Sequence, residues 1–106
     1  MSKGFQIHTT RTVEKDLDKL HSKHFEQVKE EVLKLEEDPY IGAPLKGKLK
    51  GCRSINLSLY GLGEYRVIYT LKIAEKVCLI FFIGSRENAY EEATRKVETL
   101  KKQGLI

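Results

Sequence analysis

The spacing of apolar and polar residues changes period several times along the chain, and each change marks an element. "FQIHTT" sets Phe5, Ile7 and Thr9 against Gln6, His8 and Thr10, the period-two pattern of a short strand. "TVEKDLDKL" spaces Val13, Leu17 and Leu20 as a helix does, with Thr12 as its cap. "HFEQVKEEVLKLEEDPY" repeats that spacing with Phe25, Val28, Val32 and Leu35 until Pro39 ends it. Periodicity leaves open whether these form a hairpin or one long helix; Ser22, a second cap, favours a break. Gly42, Pro44, Gly47 and Gly51 punctuate a loop from Ile41 to Gly51. "CRSINLSL" then alternates Arg53, Ile55, Leu57 and Leu59 against Cys52, Ser54, Asn56 and Ser58, and "YGLGE" turns the chain. "YRVIYTLK" and "KVCLIFFIG", joined across "IAE", complete an antiparallel meander. "NAYEEATRKVETLKKQG" carries Ala89, Ala93, Val97 and Leu100 on one helical face, with Asn88 or Ser85 as cap and Gly104 beyond its end. The predicted order is β-α-α-β-β-β-α, an α+β fold.

One residue breaks this pattern. In "GEYRVIYTLK", Tyr65, Val67, Tyr69 and Leu71 share one face, while Arg66 joins Ile68 and Thr70 on the other. One face is expected to be core and the other a working surface. A guanidinium on a half-buried strand needs an anionic partner: Glu64, another carboxylate, or a phosphate brought by something else. Farther on, Gly84 closes the last strand, Arg86 stands at the strand-to-helix corner beside Glu87, and Tyr90 begins the final helix. With ordinary meander pairing, Arg66, Arg86 and Tyr90 approach the loop that holds the lysines. Each also has a plain structural reading, in an ion pair or in helix packing.

Charge sharpens this picture. The 106 residues, 41% hydrophobic and 32% charged, suit one folded domain, and the net charge is +4. Residues 1–45 carry seven Lys or Arg and nine Asp or Glu; residues 46–106 carry twelve and six, so the basic character lies in the second half. It concentrates in "LKGKLKGCR", where Lys46, Lys48, Lys50 and Arg53 have no acidic neighbour. Such a segment is either a solvated loop or a polyanion-binding surface, because each phosphate neutralised releases a counterion.

Other classes are disfavoured. The longest apolar run, Val77 to Ile83, is too short for a membrane span, and "MSKGFQIHTT" lacks the pattern of a secretory leader, so the expected location is the cytoplasm. Cys52 and Cys78 are far apart and read as reduced packing residues; His8, His21 and His24 lack metal-ligand spacing. No G-x-S-x-G elbow, phosphate-binding glycine loop or H-E-x-x-H motif is present. Two guanidiniums, a phenol and several ammoniums instead suit a phosphodiester. Arginine forks bind phosphate oxygens and stabilise a pentacovalent transition state, while a tyrosine or lysine serves as acid or base, without metal or cofactor.

"KDLDKL", "LEEDPYIGAPLKGKLKG", "GEYRVIY" and "FFIGSRENAY", in this order, resemble the RelE/ParE superfamily of bacterial and archaeal toxins, from about Phe5 to Leu100. The resemblance implies a twisted antiparallel sheet packed against a helical hairpin. RelE-like members are metal-independent endoribonucleases that enter the ribosomal A site and cleave bound mRNA by attack of its own 2′-hydroxyl on the adjacent phosphate. The resemblance places Arg66 at the scissile phosphate, Arg86 as the arginine after the last strand, and Tyr90 as the tyrosine that positions or protonates the reacting groups. Lys46, Lys48, Lys50 and Arg53 become RNA-binding candidates. Ser85 stands where many relatives have histidine, and Leu57 and Leu59 where RelE-like enzymes carry lysines. The implied partners are mRNA, the ribosome and a cognate antitoxin. The ParE-like branch, which poisons DNA gyrase, is the alternative; a member that only binds its partner or RNA is a third.

Overall fold

The computed structural model describes residues 4–106, so the first three residues of the N-terminal stretch lie outside it. The chain runs through β1 (Gln6–Thr9), α1 (Arg11–Asp18), α2 (Ser22–Leu33), β2 (Ala43–Pro44), β3 (Cys52–Leu59), β4 (Gly63–Lys72), β5 (Val77–Ser85) and α3 (Ala89–Lys102). The first two helices form a hairpin broken at residues 19–21. Their caps lie nearer the N-terminus than the sequence suggests. Thr10 Oγ1 accepts from the Val13 N–H at 3.3 Å, and His21 Nδ1 accepts from the Lys23 N–H at 3.3 Å. Both have the extended backbone a cap requires, whereas Thr12 and Ser22 are already helical. At the far end of α3, Gly104 at φ 76° lets the Leu105 N–H reach Leu100 O and its own N–H reach Lys101 O, a Schellman stop.

The sheet order is β1-β5-β4-β3-β2. The antiparallel meander β3-β4-β5 forms as expected. β1, whose place in the sheet was open, adds along β5 in parallel, Gln6 opposite Val77 and Thr9 opposite Ile80. β2, a two-residue strand inside the expected loop, closes the other edge, where Pro44 costs no ladder bond to a further strand.

Both faces are covered, although the sequence suggested one core face and one working face. The helical hairpin and the short turn that continues it, Lys34–Glu36, bury Val13, Val28 and Leu35 against Ile55, Leu59, Val67, Tyr69, Cys78, Ile80 and Ile83. On the other face α3 lays Ala89, Ala93, Val97 and Leu100 over Ile68, Phe81 and Phe82. The working surface is what α3 leaves open at either end.

A bulge in β5 sets which residues reach that surface. Ile68 pairs with Phe82 but Tyr69 pairs with Ile80, so Phe81 is the extra residue. Phe81 and Phe82 therefore both face α3. Without the bulge, alternation would send Phe82 and Gly84 to the hairpin side and bring Ile83 beneath α3.

Cys52 and Cys78 are free and buried. Burial pushes the Cys78 thiol up from 9.0 to about 12, and burial likewise raises Cys52. Both are therefore neutral thiols at pH 8. In the native protein neither is expected to react with Ellman's reagent at that pH, and both should react in denaturant; rapid labelling of the folded chain would contradict this packing.

Candidate nucleic-acid interface

Arg66 sits mid-strand on the α3 side, opposite Asn56 of β3 and Gly84 of β5. It is half-buried, and its Nε is fully buried with no hydrogen-bond partner among the described residues. Glu64, two positions away on the same face, does not neutralise it. Glu64 Oε1 instead takes Arg86 Nη1 at 3.0 Å, and the Arg86 N–H donates to Glu64 O at 2.9 Å. No described carboxylate lies within ion-pair reach of Arg66. A buried donor without a partner costs about 1–3 kcal/mol, more when charged. The strand thus holds a guanidinium whose binding capacity the protein does not use.

The space beside it depends on Gly84. A Cβ there would come within 2.8 Å of the Phe82 ring, which folds over the glycine. Asn56 on the other side is exposed, and its Oδ1 accepts from the buried Ser54 hydroxyl at 3.1 Å. The composition of β3 and β5 hinted at both flanking residues: Asn is uncommon in strands, and an interior Gly marks close approach. Periodicity alone marks Gly84 as a strand end and Asn56 as a polar alternation.

Arg86 and its partner Glu64 are 61% and 56% exposed, so their bond is a surface clasp worth about 0–1 kcal/mol. A phosphate could exchange for the carboxylate at little cost. The sequence suggested Glu87 as the ordinary partner; the register makes it Glu64 instead.

Tyr90, in the first turn of α3, donates its hydroxyl proton to Lys46 O at 2.8 Å. The bond ties α3 to the lysine segment, whose turn Gly47–Leu49 is anchored by fully buried Leu49 in the same core as Ile68 and Phe82. Gly47 has φ +65°, and a Cβ there would lie 2.5 Å from the Tyr90 oxygen, so glycine permits the contact. Lys46, Lys48 and Lys50 stand exposed on this turn, without ion pairs among the described residues. In Tyr90→Phe the turn should loosen by about 1 kcal/mol. Amide exchange at Leu49 and Lys50, which bond Lys46 O and Gly47 O, should then accelerate about fivefold; unchanged exchange would show the tether to be idle.

Arg53 is not part of this group. It pairs with Tyr69, on the hairpin side, and Nη1 donates to Tyr40 O at 3.0 Å and Gly42 O at 2.6 Å, with its guanidinium 5.1 Å from the centre of the Tyr40 ring. The expected RNA contact is thus separated from the lysines by the thickness of the sheet and occupied by backbone carbonyls. The alternation that sets Arg53 with Ile55 and Leu57 already carried this information.

The fold is that of known toxins. An arginine-to-alanine double mutant of the Escherichia coli toxin RelE in the free state superposes with TM-score 0.74 at 23% identity, over 92% of this chain and 99% of that one. The RelBE2 toxin-antitoxin complex of Mycobacterium tuberculosis matches with TM-score 0.68 at 26% identity, over 79% and 100%. An E. coli RelE mutant in complex with an antitoxin RelBc peptide gives 0.68 at 28%, over 86% and 95%. No curated protein matches the sequence. A family model described as ParE-like toxin of type II bacterial toxin-antitoxin system matches residues 7–94, which is most of the chain. The chain accordingly belongs to the ParE-like toxins of type II toxin-antitoxin systems, within the RelE/ParE superfamily.

Proposed function

We propose that this toxin is an endoribonuclease of the RelE kind, cutting messenger RNA in the ribosomal A site and so arresting translation. The observation that carries the reading is Arg66: a half-buried guanidinium, opposite glycine and asparagine, with no carboxylate of its own. Structures related at 26% and 28% identity are RelE-type toxins, one in a toxin-antitoxin complex and one bound to an antitoxin peptide. On that ground the partner here is a cognate antitoxin. The working location is the cytoplasm; among the described residues no helix is long and apolar enough to cross a membrane.

In this mechanism the 2′-oxygen forms a bond to phosphorus as the bond to the 5′-oxygen breaks. The 2′-hydroxyl proton passes to solvent water with attack, and water protonates the departing 5′-oxygen, giving a cyclic phosphate and a free 5′-hydroxyl. Arg66 stabilises the added charge of the phosphorane through its unused donors. Arg86 trades Glu64 for phosphate and joins it. Lys46, Lys48 and Lys50 hold the RNA backbone, and Tyr90 positions their turn. Poisoning of DNA gyrase, the activity that a resemblance to the ParE-like branch implies, is the second reading.

Primer extension on a defined message in a purified translation reaction tests the proposal, with a ribosome-free control. Cuts that require ribosomes support it. An intact message with inhibited supercoiling would replace it with the gyrase reading, and neither effect would leave a protein that only binds.

A further inference from the structure

Two donor groups without an acceptor meet on the α3 side of the sheet. Asn56 of β3 stands directly opposite Arg66 of β4, a pairing that sets their Cβ atoms about 4.5–5.5 Å apart. Asn56 is exposed, and its side chain's one hydrogen bond among the described residues uses the oxygen, Oδ1 accepting from Ser54 Oγ at 3.1 Å. Ser54 is 4% exposed, the one buried polar residue among those described. A buried hydroxyl must donate somewhere, and here the amide oxygen receives it. That bond fixes the amide's orientation, because in the flipped amide the hydroxyl proton would face a donor and lose its acceptor. Asn56 Nδ2 is left with both protons unused, across one rung from a guanidinium whose buried Nε is unused as well. The pair does not resolve this internally, since no hydrogen bond joins Arg66 to Asn56.

We propose that Asn56 is a substrate-contacting residue, its amide donating to a non-bridging oxygen of the phosphodiester that Arg66 holds, with Ser54 as the positioning residue that aims it. The proposal rests on the ribonuclease reading above and adds a neutral donor to a site otherwise built from cations. An acceptor that serves both groups needs negative charge and two or more oxygens on one centre, as a phosphodiester has, and side-chain amides are ordinary donors to nucleic-acid phosphates. Gly84, on the other flank of Arg66, leaves the approach to the pair open. The amide neither gives nor takes a proton, so Asn56 stands outside the proton transfers. Its contribution grows as the non-bridging oxygens gain charge on the way to the phosphorane. Because Ser54 holds the amide oxygen, the donor is oriented before substrate arrives.

The double variant Ser54→Ala/Asn56→Ala tests this role, because removing both partners strands no polar group and should leave the melting temperature near the parent's. Its cleavage of ribosome-bound message should fall about 10²–10³-fold, the loss expected for one oriented donor. Ser54→Ala alone keeps the amide but not its aim, and should lower kcat by up to about 10²-fold with KM unchanged. Cleavage at the parent's rate by the double variant would overturn the proposal. A second measurement needs no cleavage. In NMR spectra of the full-length isotope-labelled chain, dimethyl phosphate should shift the Asn56 side-chain amide and the Arg66 Nε–H together, with one dissociation constant, and Arg66→Ala should abolish the Asn56 shift. An Asn56 amide that stays still while Arg66 moves, or that moves as far with sodium chloride, would also overturn the proposal. Joint shifts in a chain that never cuts message would retire the ribonuclease reading and keep the two donors as a phosphodiester site.

Discussion

Arg66→Ala should fold as the parent does and cut ribosome-bound message about 10²–10³ times more slowly. The size follows from the kind of interaction removed, a preorganised donor aimed at charge that develops only in the transition state. Folding should survive because the guanidinium has no ion pair to lose and its Nε is unsatisfied before any change; removing it deletes a desolvation cost. Thermal stability equal to or slightly above the parent's, with cleavage lost, is therefore the expected combination. Arg66→Lys keeps the charge but not the fork and should recover only part of the rate. Cleavage unchanged in Arg66→Ala would remove the strand arginine from the mechanism.

The largest stability effect is expected at Gly42→Ala, on the far side of the sheet. The Gly42 N–H donates to the Tyr69 hydroxyl at 3.0 Å, and that hydroxyl donates to Pro39 O at 2.7 Å, all of it buried. Burial raises the Tyr69 phenol, which remains a donor at any working pH. A Cβ on Gly42 would lie 2.6 Å from the Tyr69 oxygen and 3.0 Å from the Ser54 carbonyl. The hydroxyl must move, which strands two backbone groups and overpacks the core. Together these cost about 3 kcal/mol, or on the order of 15 °C in melting temperature for a domain of this size. Tyr69→Phe removes the atom that clashes, so Gly42→Ala should cost less in that background. Additive losses in a thermal-melt double-mutant cycle would show that the two residues do not share one network.

Much of this was legible in the chain because β3 and β4 alternate strictly. The phase of Arg66 relative to Tyr65, Val67 and Tyr69 follows from residue type alone, and the structure agrees. β5 is different: "VCLIFFIGS" is apolar on both phases, so no pattern announces that Phe81 is supernumerary. The place of β1 was also hidden, since four residues do not identify a partner strand. Nearness in sequence groups Arg53 with the lysines, and side-chain alternation overrides that nearness. Gly42 read as loop punctuation, yet it is a packing residue, a distinction set by Tyr69, which lies 27 positions downstream.

The supernumerary Phe81 also sets which reading-frame-preserving length changes in β5 would disturb the toxin's chemistry. Deleting that one residue would remove the bulge and join Ile80 directly to Phe82, so alternation would keep Phe82, Ile83 and Gly84 on their present faces. One residue inserted between Phe82 and Ile83 would instead bring Ile83 opposite Arg66 where Gly84 stands now, filling the flank that has no side chain. A gene encoding this protein could therefore be disarmed by gain of a single codon that leaves every charged residue in place.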